Sequence, residues 1–202
     1  MARGLIGHFL GAVRGSSQYR KSSFLLGASG QQVFPSFVEL RERPHIRKAL
    51  GSSPFDGEGV ATRDRELVSD GVLQGYILGS YSARKLGLKT TGNAGGTHNV
   101  LVESKTGGME IGALMRELGT GLLVTELMGQ GVNGVTGDYS RGASGYWVEN
   151  GVQAYPGARD HHRRAISRTC TRTSRRSATT STCAAACASA RSCISEMTIA
   201  GE

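Results

Sequence analysis

The sequence predicts an α+β fold, namely a sheet-rich domain of antiparallel hairpins with a few short helices and a disordered tail. Short apolar runs between glycine-rich turns recur along residues 1–156, which is typical of paired strands. Helical periodicity is confined to a few short segments that do not alternate regularly with the strands, so a doubly wound parallel sheet is not expected. Residues 157–193 are rich in arginine and contain no aromatic residue, and this composition predicts a disordered tail.

Three segments are predicted to be helices. Apolar side chains recur at four-residue spacing from Leu5 to Val13, and Gly15 follows as a stop. Residues 80–87 begin with a serine that can cap a helix and end with a glycine that can close one. Residues 109–118 place four apolar side chains on one face and form the clearest helix of the chain.

The strand predictions follow from short apolar runs next to turn formers. Residues 23–26 and 32–34 are predicted to be short strands, and residues 68–78 a hairpin that turns at Asp70-Gly71. Residues 122–127 are predicted to be a further strand. The charged segment 41–44 is interpreted as a solvated turn or loop.

Asn150-Gly151 gives the strongest hairpin signal, because both positions of this turn require positive φ. Apolar runs at residues 145–148 and 152–155 flank it. Residues 52–59 and 91–99 are dense in turn formers and are predicted to be loops.

The net charge of +8 comes almost entirely from the tail. Residues 157–193 contain eight arginines, one acidic residue, all four cysteines and no lysine or aromatic residue, which is a net charge of +7. A cationic tail without aromatic side chains binds nucleic acid weakly and without sequence preference. We therefore expect no specific nucleic-acid partner.

Neither a membrane nor a metal is expected to bind this chain. No apolar run is long enough to cross a bilayer and the start is a poor signal peptide, so the protein is expected to be cytoplasmic. His8, His45 and His98 lack the spacing of metal ligands. The cysteines do not form paired C-x-x-C motifs, so a metal cluster is disfavoured: Cys170, Cys183, Cys187 and Cys193.

Several long glycine-punctuated blocks resemble the TldD/PmbA family, whose members are called modulators of DNA gyrase or TldD/TldE metalloproteases. The blocks are residues 19–26, 53–56, 80–87, 123–131, 137–151 and 197–201. The match is closest to the C-terminal domain of the PmbA/TldE branch, and it covers residues 1–156 and the last nine. The resemblance implies an N-terminal α/β domain before this part, and loops between strands at 129–142.

The resemblance also suggests a reading-frame error. After residue 156 the family continues with a strand resembling Glu-Ile-Thr-Ile-Ala-Gly, and one codon choice for residues 159–164 gives those residues when read one nucleotide on. The chain then divides into an incomplete C-terminal domain (1–156), a frame-shifted, disordered segment (157–193) and the family's C-terminal strand back in frame (194–202).

By resemblance, the chain is a PmbA/TldE-like subunit of a zinc metalloprotease that processes unfolded peptides, including a microcin precursor and an antitoxin. The TldD-like partner would carry zinc on a His-Glu-x-x-x-His helix. This chain contains no His-Glu dipeptide, so it is expected to have no catalytic residue, metal ligand or cofactor of its own. Two alternatives remain: a non-enzymatic regulatory or binding module linked to DNA gyrase or toxin–antitoxin control, and a non-functional fragment.

One polar block is a candidate wall of a peptide channel or a subunit interface. Its members are Asp138, Tyr139, Ser140 and Arg141. The simpler interpretation is an Asp–Arg pair that holds the shape of a loop. A hydrolase nucleophile at Ser140 is not expected, since no histidine lies near it in the sequence.

Overall fold

The computed structural model describes residues 2–107, 109–129, 131–165, 173–179, 190–194 and 198–200, with side-chain environments for residues 4–156 apart from 108 and 130. Its helices are α1 (Ala2–Ala12), α2 (Gly15–Tyr19), α3 (Ser80–Leu86) and α4 (Ile111–Leu118). Its strands are β1 (Val38–Glu42), β2 (Arg65–Ser69), β3 (Val72–Leu73), β4 (Val100–Ser104), β5 (Gly121–Met128), β6 (Asp138–Glu149), β7 (Val152–Ala165), β8 (Thr173–Thr179), β9 (Ala190–Ile194) and β10 (Thr198–Ala200).

Antiparallel pairing organises the described strands into sheets. The first four-stranded sheet has the order β3-β2-β1-β4, and the second has the order β10-β7-β6-β5. Strands β8 and β9 form a separate pair. The predicted class, a sheet-rich α+β domain of antiparallel hairpins with a few short helices, is confirmed.

The core joins one face of α1 to the first sheet. Phe9 and Val13 are fully buried in the same cluster as Leu40 of β1 and Leu67 of β2. The Phe9 ring meets the Phe34 ring edge to face, with centroids 4.8 Å apart. Burying a side chain of this size contributes about 1.5–3 kcal/mol, so the four-residue apolar spacing of α1 is what fixes this helix on the domain.

The three predicted helices are confirmed, and a fourth was not predicted. Gly15 begins α2 instead of only ending the first helical segment, and its amide donates to the Ile77 carbonyl at 2.8 Å. Arg14, immediately before it, pairs with Ile77 in an isolated parallel bridge. Helix α2 is only five residues long, too short for an apolar periodicity to show.

The predicted strands at residues 23–26 and 32–34 are wrong, because residues 24–26 form a turn and residues 32–34 contain only an isolated antiparallel bridge from Gln32 to Val72. Leu25 and Phe34 are buried, as expected of strand residues, but the backbone follows another path. The Phe34 amide donates to the Gly71 carbonyl at 3.0 Å, which docks this segment on the β2–β3 turn.

The predicted solvated turn or loop at residues 41–44 is wrong for Arg41 and Glu42, and a turn begins only at Pro44, which is buried. Arg41 and Glu42 end β1, which pairs with both β2 and β4 inside the first sheet. Arg41 contacts carboxylates on both neighbouring strands, Glu66 at 3.0 Å and Glu103 at 2.8 Å. Charged residues can occupy a central strand here because each has a cross-strand partner of opposite sign.

Both predicted hairpin turns are confirmed, although the second strand of the 68–78 hairpin ends at Leu73. Asn150 and Gly151 have φ of 52° and 76°, and Asp70 and Gly71 have φ of 53° and 74°. Such positive values at both central positions identify turns that match the twist of the strands. The loop predicted at residues 129–142 is shorter than expected, because β6 already begins at Asp138.

Residues 157–193 contain strands where the sequence predicted no regular structure, whereas a strand was predicted for residues 194–202. Strand β7 continues to Ala165, and β8 and β9 also lie within residues 157–193. Strand β10 lies in the segment 194–202 and pairs with β7. Residues 166–172, 180–189, 195–197 and 201–202 lie outside the described residues, and the frame shift and the domain division both stay predictions.

Candidate functional site

The residues predicted to line a channel or interface form the start of β6: Asp138, Tyr139, Ser140 and Arg141. Successive side chains of a strand point to opposite faces. Tyr139 is buried in the core cluster and meets the His8 imidazole edge-on, with centroids 6.3 Å apart. Asp138 is exposed, and its Oδ2 accepts a hydrogen bond from the Thr136 hydroxyl at 2.6 Å. The structure therefore divides this block between the core and the surface.

The Asp–Arg pair offered as the simpler interpretation of this block does not form. Asp138 and Arg141 are three positions apart in a strand, so they lie on opposite faces, and no ion pair among the described side chains joins them. Arg141 instead donates to the Gly129 carbonyl, while its Nε is buried without a partner among the described atoms. Arg141 thus ties β6 to the turn after β5, and the channel role stays a prediction.

A cleft of about 290 Å³ lies between α1 and the segment before β6. Its walls include His8, Ser17, Phe24 and Val132. Burial, and then the positive charge of Arg141, lowers the pKa of the His8 imidazole below its ordinary 6.5. Burial raises the pKa of the Tyr139 phenol against the opposing effect of Arg141. Of these two groups His8 lines the cleft, where burial disfavours its charged form, while Tyr139 lies in the core beside it.

A second, open cleft of about 350 Å³ lies between α2, α3 and the loop at residues 93–96. The Tyr19 and Tyr81 rings meet edge to face there, with centroids 5.7 Å apart and planes at 82°. Arg14 and Glu58 also line the cleft. The result is an aromatic wall between charged groups of both signs.

Cations lie over the faces of both tyrosine rings in this second cleft. The Arg20 Cζ is 5.6 Å from the Tyr19 ring centroid, and the Lys85 Nζ is 5.7 Å from the Tyr81 ring centroid. At these distances the ring quadrupole attracts a cation. The two basic side chains are therefore held at the rim of the cleft, although both are exposed to solvent.

Glu58 supplies the acidic group of the cleft and also caps α3. Its Oε2 accepts the Ser80 amide at 2.8 Å, and the hydrogen bonds from Ser80 lower the pKa of the Glu58 carboxyl. The predicted serine cap is wrong, because the N-cap residue is Gly79 and no side-chain cap bond forms there. A carboxylate at this end of a helix satisfies an amide that has no partner within the helix.

A buried carboxylate fixes one side of the loop at residues 91–99. Glu42 accepts hydrogen bonds from Asn93 Nδ2 at 2.8 Å and from the His98 amide at 2.7 Å. Its other oxygen accepts Arg65 Nε at 2.7 Å, and the Glu42 side chain is only 1% exposed. Both ends of the glycine-rich turn are thereby bonded to the first sheet.

A second carboxylate holds the same loop from the opposite side. Asp56 Oδ2 accepts the Ala94 amide at 2.9 Å, and Oδ1 accepts the amides of Glu58 at 2.9 Å and Val60 at 3.0 Å. Burial would raise the pKa of the Asp56 carboxyl, but these three donors outweigh it and lower the pKa. The loop is therefore fixed before any ligand arrives, which favours binding.

Sequence reasoning missed this second cleft. The sequence predicts the glycine-rich loop of this cleft but does not predict α2. Without α2, no sequence feature places Tyr19 beside Tyr81. A signal was present: each tyrosine precedes an Arg-Lys pair, at residues 20–21 and 84–85.

The histidines of the described part of the chain serve separate purposes. His45 Nε2 lies 3.1 Å from Thr62 Oγ1, and His98 Nε2 lies 3.3 Å from the Gly92 carbonyl oxygen. Among the described side chains, no group of three His, Cys, Asp or Glu could hold a metal, so they do not fit a zinc site. The cysteine cluster considered above lies outside the residues with described side chains. None of the described helices is both long and apolar enough to cross a bilayer.

One protein family matches the sequence over almost its whole length. The PmbA/TldA metallopeptidase C-terminal domain matches residues 1–201. This chain belongs to that family. The resemblance read from the glycine-punctuated blocks is thus confirmed, and the two clefts are features of a PmbA/TldA C-terminal domain.

Curated relatives of this PmbA/TldA domain are longer than the chain. It is 59% identical over 157 residues to the metalloprotease PmbA homolog of Haemophilus influenzae and 54% identical over 156 residues to metalloprotease PmbA of Escherichia coli O157:H7. Each alignment covers 77% of this chain and 34% of the relative. The chain therefore spans about a third of the length of these relatives.

Solved structures share the fold. A candidate modulator of DNA gyrase from Thermotoga maritima superposes with a TM-score of 0.84 at 27% identity, covering 98% of this chain and 47% of that one. TldE from Thermococcus kodakarensis superposes with a TM-score of 0.77 at 22% identity, covering 95% and 46%. The second likeness concerns the fold alone.

Proposed function

We propose that this chain is the PmbA/TldE-type subunit of a two-subunit zinc metallopeptidase that cleaves unfolded peptides. The identity of 54–59% with proteins named metalloprotease PmbA carries the proposal. The sequence contains no His-Glu dipeptide, so in this proposal a TldD-like partner supplies the zinc and the catalytic carboxylate. A relative named metalloprotease TldD homolog is 35% identical over 88 residues, which supports a common origin of the two subunits.

The geometry supports a role in holding extended peptides. Strand β5 ends the second sheet among the described strands, with Thr125 and Glu126 exposed. An extended peptide can pair with such an edge through main-chain hydrogen bonds, which gives broad sequence tolerance. The chain would then provide a wall of the peptide chamber while the partner performs hydrolysis. A microcin precursor and an antitoxin are substrates within this proposal, and its location is the cytoplasm.

Co-expression with a TldD-like subunit tests the proposal. We expect the two chains to co-elute in size-exclusion chromatography and the complex to cleave an unstructured peptide faster than the TldD-like subunit alone. A chelator should abolish cleavage and added zinc should restore it. Separate elution together with unchanged cleavage would remove the proposal, as would zinc-dependent turnover by this chain alone.

A non-enzymatic regulatory module linked to DNA gyrase is the second candidate. The likeness to a structure described as a candidate gyrase modulator favours it. A pull-down with this chain as bait separates the two functions. Recovery of gyrase without a TldD-like chain supports the regulatory module, and the reverse result supports the peptidase subunit.

A further inference from the structure

We propose that the cleft between α2, α3 and the loop at residues 93–96 binds a carboxylate-rich segment of polypeptide, as a recognition site for unfolded substrates. The proposal rests on the proposed function only in naming that polypeptide a substrate. The cleft has a volume of about 350 Å³, which lies in the range of small-ligand sites and can hold a few side chains.

Basic side chains outnumber acidic ones around this cleft. Arg14 lines it, Arg20 and Lys85 stand over its two tyrosine rings, and Arg84 acts on the charge of Glu58. All four cations are exposed, and the ion pairs among the described side chains involve other basic residues, namely Arg41, Arg43, Arg65 and Lys105.

The single acidic group of the cleft is already engaged. Glu58 accepts the first amide of α3 through Oε2, and of the four cations only Arg84 is among the causes that lower its pKa. Charge complementarity therefore calls for an anionic occupant.

The aromatic wall argues for a peptide and against a nucleic acid. A base binds such a wall by stacking on an open ring face. Here the Tyr19 and Tyr81 rings meet each other edge to face, and each has a cation over a face. Apolar parts of peptide side chains can pack against ring edges without displacing those cations, while carboxylates reach the cations themselves.

The third wall is held rigid by carboxylates from two other parts of the chain. Ala94 is bonded to Asp56, and Asn93 is bonded to Glu42. Gly95 and Gly96 follow, with φ of 101° and 138°. Because both are glycines, no side chain covers the backbone at this point of the cleft. A wall that does not need ordering on binding reduces the entropic cost of association.

A fluorescence anisotropy titration of the full 202-residue chain tests this site. The probe is a short fluorescein-labelled unstructured peptide rich in Asp and Glu. Its control has the same sequence with Asn and Gln at those positions. We expect the acidic peptide to bind about ten-fold more tightly, as several exposed charge pairs acting together would produce. Added salt should reduce this difference, because it screens exposed charges.

Charge-removing variants locate the site. The double variant Arg84→Gln with Lys85→Gln should weaken binding of the acidic peptide about five-fold, and Arg14→Gln, on the other wall, about two-fold. The matched control is Arg47→Gln with Lys48→Gln, an exposed Arg-Lys pair outside the cleft lining, which should leave binding unchanged. Circular dichroism verifies that each variant is folded, and Arg14→Gln still tests the site if the double variant is not.

Three results would overturn the proposal: equal affinity for the acidic and amide peptides, equal loss in both double variants, or an oligonucleotide that binds as tightly through the same residues. The titration needs no TldD-like partner. A failed titration would therefore overturn the acidic-peptide site without affecting the proposed peptidase subunit. A failed co-expression test would overturn the peptidase subunit without affecting the titration result.

Discussion

Gly15 at the start of α2 lies directly against Ser82 in α3, so closely that a Cβ at position 15 would stand 2.5 Å from the Ser82 Cβ. The same atom would be 2.8 Å from Leu78 Cδ2. Cβ contacts this short do not occur without movement of the neighbours. The glycine is therefore what allows α2 and α3 to form the two sides of the larger cleft.

Replacing Gly15 with alanine should destabilise the domain by about 1–3 kcal/mol, since extra atoms in a packed contact force the helices apart. Thermal unfolding followed by circular dichroism measures this. Gly7→Ala is the matched control, because it also lies in a helix but a Cβ there meets nothing within 4 Å. That variant should gain about 0.5–1 kcal/mol from helix propensity. Equal melting temperatures for Gly15→Ala and the wild type would contradict this packing.

Glu42→Gln should be the most destabilising conservative change in the first sheet. It leaves the Arg65 guanidinium, 15% exposed in its side chain, without its carboxylate. Breaking one partner of a buried ion pair costs about 3–5 kcal/mol. Urea unfolding measures the loss, and hydrogen exchange of the His98 amide should accelerate.

Glu103→Gln is the control for that change. Glu103 also pairs with an arginine at 2.8 Å, but its side chain is 43% exposed and that of Arg41 is 37% exposed. A pair this exposed contributes only about 0.2–1 kcal/mol. If the two variants lose the same stability, burial does not decide the strength of these pairs.

Local signals explain which parts of this fold could be predicted from sequence. The turn at Asn150-Gly151 and the helix ended by Gly87 each depend on a backbone conformation that nearby residues determine. Strand β1 could not be found in this way. Its Glu42 is tolerated because Asn93 and His98, some fifty positions away, supply donors.

The candidate site shows the same division between local and distant causes. Tyr139 was identified as a site residue, yet its burial against His8 depends on a helix at the other end of the chain. The larger cleft lies between α2, α3 and a loop. Helix α2 has only five residues, too few to show the apolar periodicity of a helix in the sequence. Residue composition therefore identified the glycine-rich loop of the cleft without revealing what faces it.

The Asp56 carboxyl should stabilise the fold in a pH-dependent way. Its pKa in the folded state is lower than the ordinary 3.8. The stabilisation is therefore fully present above pH 3.8 and is lost as the pH falls through the folded-state pKa. Asp56→Asn should lose about 1–3 kcal/mol at neutral pH, because the Nδ2 group that replaces Oδ2 cannot accept the Ala94 N–H. In urea unfolding the gap between wild type and variant should narrow in acid, and a constant gap would contradict the assignment.

The reading-frame hypothesis for residues 157–193 predicts a different protein in the native host. Sequencing of the gene should show a frame slip near codon 157 and a second before residue 194, with Glu-Ile-Thr-Ile-Ala-Gly in place of residues 159–164. Peptide mass spectrometry of the host lysate should detect a peptide that contains Glu-Ile-Thr-Ile-Ala-Gly. An uninterrupted frame, together with peptides that contain residues 157–193 as written, would show that the segment is real.

His8 should make the domain less stable in mild acid. Its folded-state pKa lies below 6.5, so the unfolded chain binds a proton more readily. Stability is therefore complete above about pH 6.5 and falls as the pH drops through the folded-state pKa. Proton NMR of the imidazole measures that pKa, and Arg141→Gln should raise it by removing a nearby positive charge. Arg47→Gln removes an exposed charge that is not among the causes of the His8 shift, and should leave the pKa unchanged. An unchanged His8 pKa in Arg141→Gln would mean that burial against Tyr139 alone accounts for the shift.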